Sequence, residues 1–271
     1  MGLRKSSFLS FVLGVLFVNF AFAEQNLDSS LESNCTSISA TGNSEYPPFI
    51  WQSHTEPSQL IGAIRHIMDE LSKRIDIPLS MTHSGLWSQA QSDVRNGEKD
   101  LLAGAFYTNE RANYMEYFMP IIFHTRSVVW QNKQHLFTFN TKEDLEGKWG
   151  VTVINNSFGE EFDSYARRRL NILTVSSVQK ALELLVNSKV DYFLYEKNPA
   201  TAYVDLLNLS GQVIPAEPHI SSEGIYLTLS KKSPCNTPLI KQKIEMALVD
   251  MKREGFINEA ILKGSEDWHL Q

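Results

Sequence analysis

Five short segments of this chain collect the side chains that could bind or react: Tyr46–Phe49, Ser84–Trp87, Ala105–Arg111, Asn155–Gly159 and Tyr195–Glu196. They offer a guanidinium (Arg111), a carboxylate at the end of an apolar run (Glu196), hydroxyls (Thr108, Ser157) and rings (Tyr46, Trp87, Phe106, Phe158). Charge, hydrogen bonds and ring faces of this kind suit holding a small molecule. Other chemistries find little support. His54, His66, His83, His124, His135, His219 and His269 show no metal-type spacing and no accompanying cysteine pair. There is no G-x-S-x-G, no phosphate loop and no dinucleotide fingerprint, so neither a metal nor a cofactor is expected.

The elements that would position those segments are legible as periodicity. Short apolar runs alternate with helical patterns, which marks α/β architecture. Thr36–Ala40, Ile77–Met81 and Asp100–Phe106 read as strands. Leu60, Ile61, Ile64, Ile67, Met68 and Leu71 recur at helical spacing, and Trp87, Ala90 and Val94 outline a short helix. A second unit begins near Val128 and repeats the order: strand Gly150–Ile154, helix Phe158–Leu170, strand Ile172–Val175, a helix on Val178, Ala181, Leu182 and Leu185, and strand Val190–Tyr195. Gly224–Leu229 reads as another strand, and Ile240, Ile244, Ala247, Leu248 and Met251 as a final helix. Open α/β sheets bind ligands at the carboxyl ends of their strands. The five segments are those ends.

The chain has 271 residues, 42% hydrophobic and 21% charged, ordinary values for a globular protein. Arg4 and Lys5, the apolar run Phe8–Phe20 and Ala21-Phe22-Ala23 read as a secretory signal cleaved after Ala23. The competing reading, a membrane anchor, needs ~20 apolar residues, more than this run supplies. No cysteine lies at the cleavage point, which argues against a lipid-anchored form. Residues 24–34 are polar and read as a loose mature N-terminus. Loss of Arg4 and Lys5 takes the formal charge from −6 to about −8, the wrong sign for nucleic acid, whose phosphates call for Lys/Arg clusters. Arg167-Arg168-Arg169 reads as a solvated helix face. Cys35 and Cys235 are either two thiols or one disulfide. Export permits a bridge, which would be worth on the order of 4–5 kcal/mol on the chain-entropy model.

Seven motifs in order resemble the family-3 extracellular solute-binding proteins, the amino-acid-type receptors of bacterial ABC importers. Tyr46-Pro47-Pro48-Phe49 is similar to the motif after their first strand. Trp87 through Val94, Gly97 and Asp100 resembles W-x6-L-x2-G-x2-D, with Val for Leu. Thr108-Asn109-Glu110-Arg111 resembles T-x-x-R, and Tyr117-Phe118-Met119-Pro120 resembles F-S-x-P. Glu143 through Lys148 is similar to D-L-x-G-K, Ala181–Leu185 with Asp191 to a-l-x-x-L…v-D, and Gly255–Gly264 to the closing G-x4-I-x4-G. The resemblance implies a two-lobed type II periplasmic-binding fold, each lobe an open mixed sheet flanked by helices. Lobe 1 would be residues 24–126 with 224–271 and lobe 2 residues 127–223, with crossovers near His124–Val128 and Ser221–Gly224. Both cysteines would then lie in lobe 1. It further implies a periplasmic monomer that captures a small carboxylate ligand, an amino acid or a relative, by hinge closure. Its membrane partner would be an ABC permease.

Residue by residue, Arg111 matches the arginine that grips a ligand carboxylate, its planar fork supplying parallel donors; a structural pair with Glu110 is the alternative. Thr108 would cap the next helix. Glu196 matches the carboxylate that receives a ligand amino group, with Glu for the usual Asp; an internal salt bridge is the alternative. Tyr46 and Trp87 match the rings that sandwich a ligand, whereas Phe49 reads as core. Three departures stand out. Phe106 replaces a Ser or Thr, Asn156-Ser157-Phe158 replaces a Gly-Thr-Thr loop, and Gly62 precedes Ala63-Ile64-Arg65-His66 rather than an acidic residue. Ser157 and its neighbouring N–H groups could still hold an anion. With Tyr46, Trp87, Phe106 and Phe158 the pocket would be more apolar than an ordinary amino-acid site. Two other readings remain: an enzyme resembling cyclohexadienyl dehydratases with Glu196 as general acid, and a soluble sensor that signals to a membrane protein.

Overall fold

A computed structural model describes residues 1–3 and 35–270; apart from its first three residues, the expected signal segment and the polar stretch after it lie outside the described residues. From Ile38 the chain forms β1 (Ile38–Thr41), β2 (Glu45–Tyr46), β3 (Ile50–Gln52), β4 (Leu60–Ile61), α1 (Ala63–Ile75), β5 (Leu79–Met81), α2 (Trp87–Asn96), β6 (Leu101–Ala105), α3 (Asn109–Ala112) and β7 (Met115–Tyr117). It continues through β8 (Phe123–Asn132), β9 (Trp149–Val153), α4 (Glu160–Arg169), β10 (Asn171–Val175), α5 (Val178–Val186), β11 (Tyr192–Glu196), α6 (Lys197–Leu206), β12 (Val213–Pro215), β13 (Ser221–Ser230), α7 (Pro238–Arg253) and α8 (Phe256–His269).

Local sequence explains the main helices. In α1 the apolar stripe Ile64, Ile67, Met68, Leu71 and Ile75 is buried, and Lys73 and Arg74 complement the dipole in the last turn. Leu60 and Ile61, expected to open that helix, form β4 instead. Gly62 turns the chain between them at φ 110°, where a Cβ would stand 2.4 Å from the Trp51 ring. Ser177 caps α5 by accepting from Lys180 N, and Thr237 caps α7, with Pro238 in its first turn. The sequence pattern ends its helices with the stripe on α7. The structure adds α8 after Gly255, packed against α1 and α7, and α6 directly after Glu196. The buried face of α6 is weakly apolar, with Pro199, Ala200, Ala202 and Val204, and that of α8 is built on Ile257, Ala260 and Gly264, two of them too small to stand out as a stripe.

The main sheet runs β10-β9-β11-β8-β13-β6-β1-β5, with β12 added on β8 and β7 on β13. At one end β1 pairs in parallel with β5 and β6; at the other β9 pairs in parallel with β10 and β11. Two long strands join these parallel sets: β8 and β13 pair antiparallel, from Ser127↔Ser221 to Phe123↔Ile225. The segments expected as crossovers therefore hydrogen-bond to each other. Parallel strands place their carboxyl ends on one side, so the loops after β1, β6, β9 and β11 all reach the same seam. Cys35 and Cys235 are joined by a disulfide with Cα atoms 4.8 Å apart, tying the start of β1 to the turn before α7.

The close approach of α8 to the first strand-end loop depends on Gly264. A Cβ there would meet Pro48 O at 2.5 Å and Ala63 N at 2.6 Å, both backbone atoms that cannot rotate away. Gly264→Ala gains up to ~1 kcal/mol of helix propensity but overpacks at a cost of about 1–3 kcal/mol. The net expectation is destabilisation, seen as a lower urea midpoint with an unchanged m-value.

Candidate functional site

Arg111 is placed by its neighbours before it meets anything across the seam. Thr108 Oγ1 accepts from Arg111 N at 3.1 Å and so fixes the four-residue helix α3 at the end of β6. The guanidinium then turns inward and is only 5% exposed. Its Nε donates to Gln91 Oε1 (3.2 Å), Nη1 to Phe106 O (3.2 Å) and Nη2 to Asn155 O (2.9 Å). The Trp87 ring lies 5.5 Å from its Cζ, within cation–π range. All three acceptors are neutral. Among the described residues no carboxylate lies within ion-pairing distance of Arg111, so the alternative pairing with Glu110 does not occur; Glu110 pairs with Arg95 at 2.7 Å.

Glu196 faces this cation from the end of β11, at the N-cap position of α6. It is 1% exposed and its Oε2 lacks a hydrogen-bond partner. Burial pushes its pKa up to about 8, tempered by its own backbone N–H, the Asn156 amide and the Arg111 charge. The Asn156 amide lies beside it without a well-formed bond, for Asn156 Nδ2 is also unpartnered. Tyr46 Oη is buried nearby; desolvation and the Glu196 charge raise its pKa far above the phenol range, and Thr125 offsets this only weakly. Tyr195, whose direction the sequence leaves open, reaches across the seam. Its hydroxyl accepts from Asn43 Nδ2 and donates to Glu45 O, both at 3.4 Å. Glu45 itself, pushed up to about 7 by burial, accepts from Val178 N at the start of α5 at 3.3 Å.

The expected site residues fall into three places. Tyr46, Trp87, Phe106, Arg111 and Glu196 line one inner cavity, together with Asn43, Asn156 and Ile225. Thr108 and Ser157 line a separate mouth of about 480 Å³, where Arg111 also surfaces beside Asn155 and Asp163. Ser157 Oγ donates to Asp163 at 2.5 Å, and Phe158 N donates to the same carboxylate at 2.9 Å. Phe158 does not form the ligand wall expected of it. Its ring meets Phe162 edge-on at 5.7 Å, inside a core with Val129, Leu145, Tyr192 and Leu194, because the Asp163 bracket turns the loop inward. Phe49 is core as expected, stacked on Phe123 at 4.1 Å. Gln91 escaped the motif reading, and Asn155 and Asn156 entered it only as members of the segment Asn155–Gly159, with no role of their own. The available signal for Gln91 was its position one helical turn after Trp87, on the same face.

The inner cavity measures about 20 Å³, room for about one water. The halves are shut on each other, and the described residues from 35 to 270 form one body. A larger hollow of about 550 Å³ lies between α6 and α8, lined by Lys197, Asp205 and Trp268. Of the strand-end segments it takes only Pro48 and none of the candidate binding side chains, so the chemistry stays with the small cavity.

Two mixed α/β halves, joined by a pair of long strands and facing each other with an arginine and a carboxyl, define the two-lobed periplasmic-binding class. The chain belongs to the bacterial extracellular solute-binding proteins, family 3, whose model matches residues 38–263. Among solved structures it is similar to a histidine kinase sensor domain described as resembling periplasmic binding proteins (15% identity, 84% of this chain and 95% of that one, TM-score 0.73). It is also similar to a mutant of the T. maritima protein ArgBP (18%, 87% and 96%, TM-score 0.70). A third similar structure is an amino acid ABC transporter substrate-binding protein of Streptococcus pneumoniae bound to L-arginine (15%, 86% and 96%, TM-score 0.72). No curated protein matched in sequence.

The raised pKa of Glu196 has a definite sign. Between its ordinary value of 4.5 and about 8 the folded protein holds a proton that the unfolded chain has released. Its stabilising effect is therefore full below pH 4.5 and lost as pH rises towards 8, by on the order of a few kcal/mol. Glu196→Gln keeps the shape and removes the titration. Its thermal midpoint is expected to fall less than wild type between pH 5 and pH 8; parallel curves would place the titration elsewhere.

Proposed function

We propose that this chain is a periplasmic solute receptor, exported by its first 23 residues, that captures a small carboxylate-bearing ligand, an amino acid or a relative, by hinge closure. Residues 24–126 with 224–271 make one lobe and residues 127–223 the other. The observation that carries this reading is the buried Arg111 guanidinium, met only by neutral oxygens. A buried cation without a counterion is expensive, and a ligand carboxylate supplies the missing charge in a bidentate geometry. Glu196, opposite, would take the ligand's amino group. Tyr46, Trp87 and Phe106 would close on its apolar part, and Thr108 and Ser157 would fix the two loops. Because the cavity is about 20 Å³, the lobes must part to admit an amino acid.

Delivery to an ABC permease fits the transport proteins among the similar structures. The kinase sensor domain favours instead a soluble sensor that reports to a membrane protein; co-purification from membranes with a permease or a kinase separates the two. Enzymatic use draws on one observation: a buried carboxyl held protonated to about pH 8 is what a general acid needs. Incubation with prephenate or arogenate, watching for the aromatic product, tests it.

The receptor reading is checked by a thermal-shift screen over amino acids, small peptides, polyamines and aromatic acids. A ligand at 100 times its Kd stabilises by about 2.7 kcal/mol, a rise of several degrees. Arg111→Ala is expected to fold and to lose that rise entirely. An undiminished rise in the variant would overturn the assignment of Arg111.

A further inference from the structure

Three side-chain donors on one lobe converge on a single oxygen of the other. Trp87 Nε1 (3.2 Å), Gln91 Nε2 (3.3 Å) and Arg111 Nη2 (2.9 Å) all point at the backbone carbonyl of Asn155. We propose that the Asn155 carbonyl is an internal latch: it sits in the oxygen site of the opposite lobe, holds the cleft shut without a ligand, and must be displaced when a ligand oxygen takes that site. Gln91 and Asn155 thereby become gating residues. The inference rests on the hinge of the proposed function, not on the identity of the ligand.

The chemistry of the contact supports this. A peptide carbonyl offers two lone pairs, so three donors, one of them charged, exceed what a neutral oxygen can use well. A carboxylate oxygen meets the same donors with charge-assisted bonds roughly twice as strong. The carbonyl is thus good enough to close the seam and weak enough to be replaced. Arg111 Nη2 cannot serve a ligand oxygen until the carbonyl leaves it, and Gln91, Arg111 and Asn155 all line the mouth of about 480 Å³ through which a ligand would approach.

The backbone aims the carbonyl deliberately. Asn155 adopts φ 59°, a left-handed conformation that asparagine tolerates and β-branched residues do not. On either side the loop is pinned: Ile154 N donates to Val175 O at 2.9 Å, Asn156 N to Val153 O at 3.1 Å, and Asp163 brackets Ser157 and Phe158. The other bonds across the seam are longer, from 3.3 to 3.4 Å: Val178 to Glu45, Asn109 to Glu160, and Asn43 to Tyr195. The Asn155 contact is the shortest of them and the one that engages a buried cation.

Small-angle X-ray scattering of protein denatured, dialysed and refolded to strip small molecules tests the latch. Wild type and Asn155→Gly, which keeps the left-handed conformation available, are expected to scatter as the closed form. Asn155→Val, Gln91→Leu and Trp87→Phe are expected to shift to a larger radius of gyration, with far-UV circular dichroism showing each still folded. An open wild type overturns the proposal, as do folded Gln91→Leu and Trp87→Phe variants that stay closed. Neither outcome touches Arg111-dependent ligand stabilisation, so the latch and the receptor reading can fail separately.

Discussion

A guanidinium buried among neutral oxygens is the constraint on which the rest of this structure depends. In a low-dielectric seam the charge of Arg111 is poorly compensated by the carbonyls of Phe106 and Asn155 and the amide of Gln91. Had the chain needed only stability there, an apolar side chain would serve as well. Its retention beside a carboxyl that burial keeps protonated to about pH 8 leaves a hydrogen-bonded cation without a counterion facing a carboxyl whose Oε2 has no partner.

The sheet explains how they come to face. Each half is a parallel set whose carboxyl ends carry loops to one side, and the antiparallel pair β8–β13 turns those two sides towards each other. Arg111 follows β6, Glu196 ends β11 and Asn155 follows β9. Side chains from distant parts of the sequence therefore meet without any long loop having to reach. The same pair of strands is the place where the halves could rotate, since the crossing chain is already ordered there.

Sequence carried the architecture well because burial follows period. The stripe on α1 and the apolar run of β11 are buried as their spacing implies. Boundaries failed where one glycine redirects the backbone, as at Gly62, and where the buried face of a helix is made largely of small residues, as Ala200 and Ala202 in α6 and Ala260 and Gly264 in α8. At the site, charged and aromatic residues were legible from type and position, so Tyr46, Trp87, Phe106, Arg111 and Glu196 converge in one cavity. Phe158 was not, because the turn set by Asp163 decides which way its ring points. Nor was Asn155, whose part is played by a backbone oxygen that every residue type possesses.

The charge state of the seam also bears on which ligand would fit. A simple carboxylate would compensate Arg111 and leave Glu196 neutral, its Oε2 still without a donor. A zwitterion would bring both a carboxylate and an ammonium group, and the ammonium would favour the ionised form of Glu196, whose proton would be released to water, since an adjacent cation lowers a carboxyl pKa. Both buried groups would then be paired, and Asn156, whose amide already lies beside Glu196, could complete its bond to an ionised carboxylate. On these terms Arg111 and Glu196 would be complementary to one molecule rather than to two. On the proposed reading the site would suit a ligand whose opposite charges lie close together, as they do on the α-carbon of an amino acid.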